Sequence, residues 1–325
     1  MRVVVTGGCG FLGRRVALRL LERRDVEELV LFDNAPLTLP LPEDPRLRLV
    51  TGNIADGETV RRVISPGTSS VFHLAAVVSG EAEADTDLGY RVNLDGTRMV
   101  LDACRALGTS PRLVFASSLA VYGGTLPPAV GDETPLMPQT SYGAQKSIGE
   151  LLVNDYSRKG FVDGRALRLP TVVVRPGRPN RAASTFASSM IREPLSGRQA
   201  VCPVSPETVM ALASPRRVVE ALLHAHDLPG NAFGTSRSLQ LPGFRLRSAK
   251  WRPRCAAPAA RKPMQGSAGS PTRSSNASSP AGRPRSPPRA PKPSAFPRTP
   301  VSTRLSRPLS RTTSRRKDSS VEAPL

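Results

Sequence analysis

The opening of the chain, MRVVVTGGCGFLG, limits the possible folds more than any other stretch. Arg2–Thr6 is a short β-branched run, and an apolar-periodic segment begins near Gly10. Between them lies a glycine-rich turn with Gly7, Gly10 and Gly13. A strand that turns into a helix through spaced glycines lets a ligand's backbone-hugging phosphates approach closely. The helix N-terminus then favours their negative charge.

The rest of the first 243 residues repeats that alternation. Strands are expected at Arg2–Thr6, Glu28–Asp33, Arg46–Val50, Ser70–Leu74, Arg112–Ser117 and Arg165–Leu169, each a short β-branched or apolar run. Helical periodicity predicts Gly10–Arg24, Asp56–Ile64, Asp87–Ala106 and Ser141–Arg158, with later helices near Thr185–Glu193 and Ser214–His226. Ser214 followed by Pro215 is a strong start signal. Strands alternating with helices imply an α/β fold, a doubly wound parallel sheet of the Rossmann type with helices on both faces. The expected organisation is a nucleotide-binding domain over 1–175, a smaller, incomplete substrate-side region over 176–243, and a disordered tail over 244–325.

The tail follows different rules. From Phe244 onward there are 19 Lys and Arg against 2 acidic residues, with 15 Arg, 15 Ser and 14 Pro. Met1–Gly243 carries 27 bases and 24 acids, so most of the formal charge of +20 belongs to the tail. Such a composition buries too little apolar surface to offset the entropy of ordering. Arginine density fits a sequence-independent tether to phosphate, but Phe244, Trp251 and Phe296 are its only aromatics, so base stacking is poorly supported and no specific nucleic-acid partner is expected. No apolar run reaches spanning length and no charged-then-apolar leader opens the chain, so a cytoplasmic protein without a membrane partner is expected. Cys9, Cys104, Cys202 and Cys255 have neither metal-site nor redox-pair spacing, and no metal is expected.

Three groups of residues carry chemistry. The glycine turn gains weight from Asp33, which ends the second strand about 20 residues on, where an acid can bind ribose hydroxyls and would repel a 2′-phosphate. NAD is therefore the expected cofactor. In TSYGAQKS, Tyr142 and Lys146 are four apart on one helical face, so the ammonium can lower the tyrosine pKa and hold a ribose. In FASSLAVYGG, Ser117 and Ser118 leave the end of an upstream strand, on the sheet edge where ligands bind.

With these residues in place, Met1–Gly243 resembles the extended short-chain dehydrogenase/reductase family. The resemblance rests on TGGCGFLG, Asp33, GNIAD, HLAAVVSG, VNLDGT, SSLAVYG and YGAQK. It implies Tyr142 as catalytic acid/base, Lys146 as its partner and Ser118 as the hydroxyl that positions substrate. It also implies cofactor contacts at Gly7, Gly10, Phe11, Leu12, Gly13, Asp33, Asn53, Ile54, Leu74, Ala75, Ala76, Asn93, Tyr142 and Lys146. Asn53 stands where the family often has Asp. The longer stretches HLAAVVSGEAEADTDLGYRVNLDGT and AVCPVSPET resemble the family's sugar-acid dehydrogenases more than its nucleotide-sugar epimerases. That implies NAD-dependent oxidation of the C2 hydroxyl of a small sugar acid. Arg178 is a candidate for its carboxylate and Ser79 for a hydroxyl.

Three other readings compete. A dehydratase of the family is expected to carry acids after Ser118, where Leu119 and Ala120 stand. An epimerase would use the same Ser, Tyr and Lys, and a cofactor sensor would need neither Tyr142 nor Lys146. Family resemblance further implies a homodimer through the Asp87–Ala106 and Ser141–Arg158 helices.

The resemblance stops near LQLPGF. Read one frame over with permissible codons, SNASSPAGR yields Ile-Glu-Arg-Ile-Val-Ser-Ser-Trp-Pro, SAKW yields Gly-Glu-Met, and SAFPRTPVSTR yields Gly-Phe-Pro-Ala-Asp-Ala-Gly-Phe-Asp-Ala. The three windows share one offset and resemble the ordinary C-terminal part of this enzyme group. A frameshift near Gly243 or Phe244 is therefore expected.

Overall fold

Val3, Val4 and Val5 are consecutive, and none is exposed. A strand buried on both faces needs helices above and below its sheet. The computed structural model describes residues 1–37, 39–175 and 184–251. In chain order the strands are β1 (Arg2–Thr6), β2 (Glu28–Asp33), β3 (Leu47–Thr51), β4 (Thr68–His73), β5 (Arg112–Ser118), β6 (Asp163–Leu169), β7 (Thr171–Val172), β8 (Val209–Ala213), β9 (Ser238–Gln240) and β10 (Phe244–Arg247). The helices are α1 (Gly13–Leu21), α2 (Gly57–Val63), α3 (Ser79–Ala84), α4 (Thr86–Gly89), α5 (Gly96–Ala106), α6 (Ser141–Arg158), α7 (Thr185–Leu195) and α8 (Pro215–Asp227), with a π-helical stretch at Tyr90–Asp95. None of the described helices is long and apolar enough to cross a membrane.

The main sheet has the order β3-β2-β1-β4-β5-β6-β9, and every pairing in it is parallel. The chain winds outward from β1 through β2 to β3, then returns to place β4 on the other side of β1. That reversal opens a crevice beyond the carboxyl ends of β1 and β4. Alternating residues feed two cores. Val3 and Val5 pack with Val16, Leu20, Val218 and Leu222 of α1 and α8. Val4 packs with Val60, Val100, Leu101 and Val153 of α2, α5 and α6.

The described part of the segment expected as a substrate-side region, 184–243, contributes to both sheets. The apolar stripe of α8, Val218, Val219, Leu222 and Ala225, joins the main core, and β9 extends the main sheet beside β6. Helical periodicity in the sequence says that a face is buried but not against which layer. A smaller sheet has the order β10-β8-β7, with β10 antiparallel to β8, and Val172 and Ala213 of β7 and β8 join the main core. The described chain thus runs past Gly243 into a strand, because Phe244–Arg247 finds the free edge of Val209–Ala213. Residues 176–183, which include Arg178, and the tail from 252 on lie outside the described residues.

Beneath the crevice α6 is tied to the sheet by a buried ion pair. Arg168 on β6 donates to both oxygens of Glu150 at 2.8–3.1 Å, and their side chains are only 6% and 3% exposed. Ser117 also donates to Glu150. Arg168 further donates to the Tyr122 hydroxyl at 2.7 Å and to the Asp132 carbonyl at 3.0 Å. Replacing one member strands the other charge without water, so Glu150→Ala is expected to cost about 3–5 kcal/mol. Urea unfolding monitored by circular dichroism checks this, and a loss below about 1 kcal/mol, the worth of a surface pair, contradicts it.

Candidate active site

At the end of β1 the backbone doubles back on itself. Gly7 takes φ +67°, and a Cβ there would lie 2.7 Å from the Ala75 nitrogen in the loop after β4. A Cβ on Gly13 would lie 2.2 Å from the Gly7 carbonyl oxygen. At Gly10 the nearest atom would be 3.1 Å away and no other falls within 4 Å, so that side of the turn is open to the cleft. The N-terminus of α1 has Leu12 as its cap residue and no capping side chain. Its first amides are the kind that bind a pyrophosphate. Asp33 closes the turn from β2, accepting from the Cys9 amide at 3.0 Å and the Ala35 amide at 3.1 Å. These residues fit a dinucleotide.

The cleft has a volume of about 480 Å³, and its lining includes Gly7, Gly10, Phe11, Leu12, Gly13, Leu74, Ala76, Ser79, Ser118, Tyr142, Lys146 and Arg175. Helix α6 begins at its mouth, where Thr140 caps the first turn by accepting from the Gly143 amide at 3.1 Å. Tyr142 and Lys146 therefore project from successive turns of one face. A Cβ on Gly143 would come within 2.2 Å of the Ala120 carbonyl oxygen, so only glycine lets α6 approach the loop that carries Ser118 this closely. Tyr142 and Ser118 line the same cleft.

Burial raises the Tyr142 phenol, while the charge of Arg175 and the Ser118 hydrogen bond pull it down. Lys146 is 1% exposed. Burial lowers its ammonium to about 7, and Glu150, one turn further along α6, works against that shift. The Lys146 nitrogen lies 4.6 Å from the Phe115 ring centroid and 5.8 Å from that of Tyr142. The proton of the phenol and the charge of the lysine are thus set in one water-poor space.

A second layer fixes these groups. His73, pushed down to about 3 chiefly by burial and also by the Lys146 charge, is neutral. It bridges the Thr6 and Thr97 hydroxyls at 2.7 and 2.9 Å, joining β1 to α5. Asn93 lies in the π-helical stretch, where its amide brackets Val77 by accepting from its N–H at 2.8 Å and donating to its carbonyl at 3.1 Å. It also donates to Gln145 at 2.7 Å. The single helix expected over Asp87–Ala106 is thus widened at Asn93, a backbone irregularity of the kind found beside functional sites.

Of the expected cofactor residues, the glycines, Phe11, Leu12, Leu74, Ala76, Tyr142 and Lys146 line one cleft. Ala75 abuts Gly7, and its amide points to the Thr6 hydroxyl at 3.3 Å. Asn53 accepts from the Ala55 amide at 2.9 Å at the end of β3, and Ile54 packs in the core against Gly96. Asn93 is buried and acts on the loop after β4. Ser79 begins α3 on the cleft wall, and Arg178 lies outside the described residues. Sequence reasoning missed Arg175 and Glu150. The sheet-edge rule could have found Arg175, which follows the apolar run of β7, but RPGRPNR offers three arginines without a period to choose among them.

Residues 3–232 match the NAD dependent epimerase/dehydratase family. Over 259 residues the chain is 55% identical to D-erythronate dehydrogenase of Cupriavidus necator, covering 77% of this chain and 79% of that protein. It is 48% identical to D-erythronate dehydrogenase of Haemophilus influenzae, covering 75% and 78%. Among solved structures, the nucleoside-diphosphate-sugar epimerase from Agrobacterium tumefaciens superposes with a TM-score of 0.72 at 40% identity, covering 76% of this chain and 75% of that one.

Proposed function

We propose that this chain, which belongs to the NAD dependent epimerase/dehydratase family, is an NAD-dependent dehydrogenase that oxidises the C2 hydroxyl of D-erythronate to give 2-oxo-D-erythronate. The observation that carries the reading is the meeting of Tyr142, Lys146 and Ser118 in the cleft that the glycine turn lines. The similarity to two D-erythronate dehydrogenases supports the substrate.

In the proposed reaction the Ser118 hydroxyl holds the substrate's C2 oxygen and Tyr142 accepts the hydroxyl proton as the C2 hydrogen departs. NAD, when bound, supplies the hydride acceptor. Lys146, when protonated, places positive charge beside Tyr142 and offers donors to a ribose, and Asp33 offers its carboxylate to the other ribose. Gly10 and the uncapped N-terminus of α1 leave room and amides for the pyrophosphate.

Incubation with D-erythronate and NAD is the direct test. NADH formation with a 2-oxo acid product is expected. A sugar interconverted with no net NADH would favour the redox-neutral epimerase reading instead. The pH profile gives an independent check. Burial raises the Tyr142 phenol, and the oxidation consumes its deprotonated form. The oxidation rate at limiting substrate should therefore keep climbing with pH into the alkaline range, past the ordinary value of a phenol, and reduction of the 2-oxo acid should fall over the same range. A flat oxidation profile would count against Tyr142 as the base.

The enzyme is assigned to the cytoplasm and to a homodimer built on α5 and α6, where Leu151 is 66% exposed. The tail after Gly243 is assigned to an out-of-frame substrate region. Its composition supports that assignment.

A further inference from the structure

We infer that Arg175 is the residue that selects a carboxylate-bearing substrate, an inference that rests on the dehydrogenase reading above. Arg175 lines the cleft together with Ser118, Tyr142, Lys146 and Thr171. It emerges just beyond β7, from backbone held at both ends by α7. Its N–H donates to the Ser188 hydroxyl at 3.1 Å, and its carbonyl accepts from Arg192 at 2.7 Å. Its backbone is therefore tied to α7 on both sides, and its position follows α7.

The guanidinium, by contrast, has no matching anion. Among the described residues it makes no side-chain hydrogen bond or ion pair, and its ring contact is the face of Phe11, 5.6 Å from the centroid. Burial works against its charge, and its only opposing influence is the phenol of Tyr142. A half-buried guanidinium without a carboxylate is costly unless a ligand completes it. Its planar fork matches a carboxylate with two parallel hydrogen bonds.

The partner that fits is the C1 carboxylate of a 2-hydroxy acid. Arg175 and Tyr142 line the same cleft, so an anion on Arg175 would share that cleft with the reacting hydroxyl. In a 2-hydroxy acid the carboxylate is one bond from the carbon to be oxidised. A cation beside the base therefore fixes which hydroxyl meets it, and a substrate without a carboxylate leaves that cation unpaired. The cofactor's pyrophosphate is a second anion of suitable chemistry. It is already provided for by the glycine turn and the first amides of α1.

The test compares D-erythronate with its primary amide on the full chain and on Arg175→Met and Arg175→Lys, with NAD affinity measured in parallel. Arg175→Met is expected to raise KM for the acid between about 10- and 100-fold, while KM for the amide and the NAD dissociation constant hardly move. Arg175→Lys should recover part of the loss, since it restores charge without the fork. An equal change for acid and amide would overturn the inference, as would a weakened NAD affinity with the acid preference intact. If the unaltered chain reduces NAD with neither compound, the dehydrogenase reading fails by itself. The inference is then judged by calorimetric binding of D-erythronate to the NADH-loaded chain. Binding that Arg175→Met abolishes supports it, and binding that persists or never occurs overturns it.

Discussion

Tyr142→Phe is expected to lower kcat/KM for D-erythronate oxidation by about 10³-fold or more and to leave NAD affinity little changed. The substitution removes one oxygen. The ring keeps its place on the first turn of α6, which Thr140 still caps and Gly143 still lets against the Ala120 carbonyl. The ring face near Lys146 also survives, so the cofactor side of the cleft keeps its shape. What disappears is the phenol that lines the cleft together with Ser118 and Arg175. Lys146 cannot replace it, because its nitrogen lies over the Phe115 ring. Steady-state rates with NADH detection, together with NAD titration by quenching of protein fluorescence, measure both halves. Retention of a tenth of the rate would mean that another group accepts the proton.

The parts of this site that are legible in the sequence are those fixed by local geometry. Gly7, Gly10 and Gly13 are readable because a strand-to-helix turn needs them at that spacing, and the α6 pair because four residues are one turn. The extent of α6 could even be read to the residue, since Thr140 and Ser141 offer a cap and Gly160 closes the far end with a positive φ. Arg175 and Glu150 escaped because their meaning lies in what they face. Glu150 is one more acid on an amphipathic helix until Arg168 arrives from β6, and Arg175 is one of three arginines until α7 fixes its backbone. β8, β9 and β10 escaped for a related reason. β9 and β10, of three and four residues, carry too short a pattern to register, and the pairing partners of all three are remote in sequence.

A chain whose codons after Gly243 are read in the neighbouring frame is expected to gain about 100-fold or more in kcat/KM over the chain as written, and to melt at higher temperature. The small sheet is thinly packed. Among the described residues its core has four buried side chains, Val173, Ala187, Met190 and Leu212. Around it, Leu195 is 70% exposed, Val201 80% and Val209 44%. Each such side chain is worth about 1.5–3 kcal/mol when fully buried, so a layer that covered them would stabilise the sheet and hold α7 firmly. α7 in turn holds Arg175, through Ser188 and Arg192. Misplacing a substrate by about 1 Å can cost 10²-fold in rate, and a loosely backed Arg175 would do that to the acid's carboxylate. The glycine turn lies on β1 and α1, within the long main sheet and its helices, so NAD affinity should be similar for the two chains. Equal rates and equal melting temperatures would show instead that the basic tail is a genuine part of a working enzyme. Its 15 arginines would then need a partner of their own.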